Sequence, residues 1–92
     1  MKITFDPRAR DDLERIAEWI AKDNSRAALE MVARIETSVY RLAAPEFSHI
    51  GHSGRVSGTL EVVVRPYIIV YKLFARRHEI VILSVVHGAQ NR

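Results

Sequence analysis

The side chains best suited to chemistry lie in the second half of the chain. They are the cations Arg55, Arg65, Lys72, Arg76, Arg77 and Arg92, the carboxylate Glu61 and the imidazole of His87. Metal-free RNA cleavage draws on such a set: cations beside the phosphate, a base for the 2′-hydroxyl and an acid for the leaving group. Arg55, Arg65 and Lys72 could clamp a phosphate, and His87 could move a proton. Glu61 is the best available partner for His87, but nothing in the sequence brings the two together. The competing reading makes His87 a structural residue bonding backbone at a sheet rim. Tyr67 and Tyr71 could stack on bases, although strands of this pattern usually bury such rings.

Other chemistries are poorly supplied. Cysteine is absent, which removes disulfides, thiolate metal sites and a cysteine nucleophile. His49 and His52 are too few ligands for a metal. Asp11 and Asp12 are neighbours on a predicted helix, where adjacent side chains point about 100° apart, so a solvated helix face is expected. There is no phosphate loop and no Gly-x-Ser-x-Gly elbow. No cofactor is expected.

The charge is unevenly placed. Residues 1–46 hold 8 Lys/Arg and 9 Asp/Glu, whereas residues 47–92 hold 6 Lys/Arg and 2 Asp/Glu, along with all four histidines. A basic second half could face nucleic acid or an acidic protein segment. Ordinary solubility charge is the plainer alternative.

These groups need elements to position them. Residues Lys2–Phe5 read as a short strand. Asp6-Pro7 opens a helix, with Asp as N-cap and Pro at the first helical position. Ala9, Leu13, Ile16, Ala17 and Ile20 follow at helical spacing, and Trp19 flanks that stripe. Asp23-Asn24-Ser25 breaks the helix and caps the next, in which Ala28, Val32, Ile35, Val39 and Leu42 form a packing seam. So short a break predicts a helical hairpin.

Residues 45–58, rich in Gly and Ser, form a loop. Residues 59–64 read as a strand by their β-branched content, Arg65-Pro66 as a turn, and 67–74 and 79–86 as two long strands. The short basic segment 75–78 joins these as a hairpin. At 92 residues the chain is one domain, 1–92. The fold class is α+β, in the order β-α-α-β-β-β, with a helical hairpin on one face of a small, largely antiparallel sheet. The other face is left free, and Lys72 with one tyrosine edge is expected to point into it.

Gly54–Val64, Pro66–Tyr71 and Ile82–Gln90 together resemble the RelE/ParE superfamily, the toxins of bacterial type II toxin–antitoxin systems, also called plasmid stabilisation proteins. The resemblance implies the same β-α-α-β-β-β fold. It also implies a cognate antitoxin of the ParD or RelB kind, which wraps the toxin and forms a hetero-oligomer with it. The antitoxin, usually encoded beside the toxin, would bind operator DNA, so the toxin would meet that DNA only indirectly.

RelE-like members cleave mRNA on the ribosome, and ParE-like members poison DNA gyrase. Here Gly88 follows His87 where a His-Tyr pair is common in RelE-like members, and no tyrosine follows Tyr71. The His87-Gly88-Ala89 ending resembles the ParE-like branch. The expectation is a non-enzymatic gyrase inhibitor, with a ribosome-dependent mRNA endoribonuclease as the alternative and a harmless, decayed toxin as a third reading. For partner binding the candidates are Arg55, Arg65, Tyr67, Tyr71, Lys72, Arg76, Arg77, His87 and Trp19. For the nuclease alternative they are His87, Arg65, Lys72, Arg55 and Glu61. The N-terminus carries no apolar signal core and no stretch reaches the ~18 apolar residues of a membrane span, so a cytoplasmic bacterial location is expected, with no membrane partner.

Overall fold

The computed structural model describes residues 1–48 and 51–89. His49, one of the two loop histidines, and Arg92, the last of the basic set, lie outside the described residues.

Strand β1 (Lys2–Phe5) leads into helix α1 (Pro7–Ala21) and helix α2 (Ser25–Arg41). Each helix starts as its sequence requires. Arg8 N–H donates to the Asp6 carboxylate at 2.9 Å and Ala27 N–H donates to the Asn24 side chain at 3.0 Å, satisfying amides that have no partner inside the helix. Strands β2 (His52–Ser53), β3 (Leu60–Val64), β4 (Tyr67–Phe74) and β5 (Glu79–His87) follow.

The sheet order is β1-β5-β4-β3-β2. β1 runs parallel to β5 and the remaining pairs are antiparallel. The expected order holds, with one addition: the loop 45–58 contains the two-residue strand β2, too short to leave a periodic signal.

Both helices lie on one face. Ala9 and Ile16 of α1, Met31, Ile35 and Val39 of α2, and the capping Leu42 meet Val64, Tyr67, Ile69, Tyr71, Ile80, Ile82 and Val85 of the sheet. Met31, rather than the expected Val32, completes the α2 seam.

The register of β5 changes partway along. Tyr71 pairs with Ile82, but Val70 pairs with Ser84, so Leu83 is an extra residue bulged out of the ladder. Before the bulge, Ile80 and Ile82 face the helices. After it, Val85 does, and so His87, two residues on, lies on the helix side.

A candidate protein-binding site at the end of the sheet

The bulge brings several functional side chains to one place. His87 sits edge-on to Tyr67, with ring centroids 5.4 Å apart and planes at 81°. Together with Asp12, Arg15, Ile16 and Trp19 of α1, over Val85 and Val86, they line an open cleft of about 590 Å³. Trp19 is 69% exposed, second only to Leu29 among the large apolar side chains of the described residues. Lys22 Nζ lies 5.6 Å from its ring centroid. The cleft thus has an aromatic lip, an apolar floor and charged flanks.

Asp12 holds this end of the sheet to α1. One carboxylate oxygen accepts the Val85 N–H at 2.9 Å and the other accepts from Arg15 at 2.9 Å. β1 pairs with β5 only as far as Phe5↔Ile82, so among the described residues no strand lies beside the outer edge of β5 beyond the bulge. The Asp12 side chain fills that role and is only 14% exposed. Solvation was expected for both Asp11 and Asp12. Asp11 is exposed, but Asp12 is a structural bridge. Among the described residues no cluster of His, Asp and Glu could hold a metal.

His87 bonds backbone, as its plainer reading expected: Ala89 N–H donates to its Nδ1 at 3.0 Å. That lone pair is therefore engaged, and in neutral imidazole the proton resides on Nε2. Glu61 does not meet His87. Glu61 pairs with Val70, on the face away from the helices, whereas His87 pairs with Tyr67 on the helix face. The carboxylate also accepts the Arg55 N–H at 3.2 Å. Lys72 is exposed on the same outer face as Glu61. The set that ribonuclease chemistry would require is thus divided between the two sides of the sheet.

The remaining candidates are spread more widely. Arg65 borders a separate groove between α2 and β3, lined by Ala33, Arg34, Thr37, Ser38, Val63 and Val64. Arg76 and Arg77 occupy the turn at the opposite end of β4, where the Arg77 guanidinium lies 4.2 Å from the Phe74 ring centroid and Lys72 Nζ lies 5.4 Å from it. Arg77 also pairs with Glu79 at 3.4 Å.

Neither tyrosine edge enters the free face. Tyr67 is buried in the core except where it borders the cleft, and Tyr71 has no exposed surface. Tyr71 therefore cannot serve as a docking ring. Its hydroxyl donates to Ser48 O at 2.9 Å and accepts the Gly51 N–H at 3.2 Å, tying the long loop to the core. Burial pushes the phenol pKa above its ordinary value of 10.0, and the Gly51 bond partly opposes this. A Cβ on Gly51 would lie 2.7 Å from the Tyr71 hydroxyl oxygen, so the clamp needs glycine there.

Sequence reasoning missed Asp12, Arg15 and Arg34. For Asp12 a signal existed: it stands three residues after Ala9 and four before Ile16, beside the apolar stripe of α1.

The family model described as "ParE toxin of type II toxin-antitoxin system, parDE" matches residues 3–92. The curated Sinorhizobium fredii protein named "Putative toxin Y4kP" is 38% identical over 91 residues, spanning 97% of this chain and 90% of that protein. Among solved structures, a chain of the chromosomal ParDE toxin–antitoxin system from P. aeruginosa superposes with a TM-score of 0.81 at 21% identity, covering 95% of each chain. A chain of the Mycobacterium tuberculosis RelBE2 complex gives 0.67 at 22% identity, covering 94% of this chain and 95% of that one. One of the E. coli RelBE complex gives 0.63 at 14%, covering 98% of each. At these identities the likeness is one of fold.

Proposed function

The chain belongs to the ParE toxin family of type II toxin–antitoxin systems, and from that premise we propose that it acts in the bacterial cytoplasm by binding DNA gyrase, and that a cognate antitoxin holds it inactive. The observation that carries a binding action over a cleaving one is the division of the candidate catalytic set. Lys72 and Glu61 lie on one face of the sheet and His87 on the other, with its Nδ1 occupied by Ala89 N–H. A general base needs an available lone pair within reach of the proton it takes, and this arrangement offers none at Nδ1.

The helix-side cleft provides what a protein contact uses instead. Trp19 and the edge of Tyr67 are aromatic anchors of the kind that dominate interfaces, and Arg15 and His87 supply polar contacts at the rim. Arg55, Arg65, Lys72, Arg76 and Arg77 add cations that attract an acidic surface and speed encounter with it.

The test is gyrase supercoiling and cleavage-complex formation with purified, antitoxin-free protein. Inhibition is expected, and His87→Ala should weaken it by less than tenfold. Unimpaired supercoiling in the presence of folded protein would overturn the proposal. If ribosome-bound mRNA were then cut by the parent but not by His87→Ala, the endoribonuclease alternative would replace it.

A further inference from the structure

The positive charge of the molecule is gathered at one end of the sheet. The turn between β4 and β5 carries Arg76, Arg77 and His78, all exposed. Lys72 reaches the same end, where its Nζ and the Arg77 guanidinium both lie over the Phe74 ring. Lys2 is set beside Glu79 by the register of β1 on β5, and its N–H donates to His78 O at 2.9 Å. The turn and the strand ends that flank it thus carry four Lys/Arg and one carboxylate, Glu79. The rest of the chain holds 10 Lys/Arg and 10 Asp/Glu, so these few residues account for the whole formal charge of +3. Glu79 is itself engaged, by Arg77 at 3.4 Å and by the Thr4 hydroxyl at 2.8 Å.

We infer that this tip binds the phosphate backbone of duplex DNA. Its shape favours DNA over an acidic protein surface. Ala75–Arg77 form a 3₁₀ turn, in which neighbouring side chains point about 120° apart, so Arg76 and Arg77 reach toward different flanks. A duplex offers phosphates on both flanks of a groove, whereas an acidic helix offers charge along one side. A two-stranded ribbon also has the width that the major groove admits. Arg77 is already held against Phe74 in the free chain, so less side-chain freedom is lost when its guanidinium meets a phosphate.

Contacts of this kind position a protein on DNA and read no sequence. Their use here follows from distance. The tip stands at the other end of β4 from Tyr67, about 23 Å away at ~3.3 Å per residue. One molecule can therefore hold a protein through the helix-side cleft and a DNA segment through the tip. This deepens the reading that the chain acts on gyrase: the DNA would be the segment that gyrase holds.

The test is fluorescence anisotropy of a labelled duplex of about 20 bp with the purified chain, without gyrase, between about 50 and 200 mM salt. Binding is expected, with log K falling against log salt at a slope of about −2 to −4, as two to four phosphate contacts require. Arg76→Glu should weaken it at least tenfold and flatten the slope by about one unit. Arg77→Gln, which keeps a polar side chain beside Glu79, should weaken it less. Arg26→Glu makes the same change in net charge at the start of α2, a helix length from Ala43, whose carbonyl bonds the Met1 amine near the tip. It should leave the affinity within about twofold.

Equal losses in Arg76→Glu and Arg26→Glu would mean that net charge, and not the tip, draws the DNA, and would overturn the assignment. So would a folded parent that leaves the duplex unbound at the lowest salt. Tighter, Arg76-dependent binding of single-stranded RNA would replace duplex DNA as the partner. Because the assay contains no gyrase, failure here leaves the gyrase reading intact. Unimpaired supercoiling together with Arg76-dependent DNA binding would overturn that reading and keep this one.

Discussion

The two faces of one sheet are made of the same kinds of residue and meet different surroundings. Ile69, Ile80 and Ile82 face α1 and α2 and have no exposed surface, whereas Ile68, Val70 and Val81, each one residue away, face outward and are only partly buried. Hydrophobicity alone therefore does not mark the core of this molecule. What marks it is the helical hairpin that Asp6 and Asn24 start and that Asp12 fastens to β5. A side chain on the covered face contributes to folding of the chain by itself. One on the open face contributes mainly when something else arrives.

The comparison breaks if the faces respond alike to truncation. Ile35→Ala removes a fully buried side chain from α2 and should cost about 2–5 kcal/mol, read as a lower urea midpoint at unchanged slope. Asp12→Ala should cost about 2 kcal/mol, because the Val85 N–H loses a charged acceptor. Asp12→Asn keeps an acceptor and should recover part of that, which urea titration of both variants checks.

Tyr71→Phe should cost about 1 kcal/mol and speed amide exchange near Ser48 and Gly51, the residues its hydroxyl ties together. It should also alter the response to alkali. With the folded pKa raised, the phenol supports stability fully below the unfolded value of 10.0, and that support is lost as pH rises through the folded value. Stability of the parent should therefore fall more steeply above about pH 10 than that of Tyr71→Phe. Val63→Ala, on the open face, should change the stability of the chain alone by less than about 0.5 kcal/mol. An effect as large as that of Ile35→Ala would mean the two faces are not energetically distinct.

The sequence showed the elements more clearly than the site. Apolar spacing at Ala9, Leu13, Ile16 and Ile20 and the caps at Asp6 and Asn24 predicted the helices, because these are local patterns of period and termination. Dense Ile and Val predicted β3, β4 and β5 for the same reason. What placed His87 was not local. Its face depends on the register shift at Leu83, which appears only when β5 is set against β4. The contact between Asp12 and Val85 spans 73 positions, and only the tertiary fold shows that β5 needs an acceptor there. Tyr71 and Lys72 could be assigned to opposite faces by alternation, but which face the helices would cover was fixed by packing.

The bulge at Leu83 acts as a parity bit. In a regular ladder, counting from Ile80 in steps of two keeps every even-numbered residue of β5 on the helix side, and Val86 would end there with His87 opposite. One unpaired residue inverts that count for everything downstream while the upstream ladder stays unchanged. Deleting Leu83 would therefore close the ladder and leave Val85 and His87 on the helix side, because the residue removed is the one without a partner. A family of such chains could gain or lose a single codon at this point and keep its terminal histidine on the same surface, because the bulge absorbs the change in count.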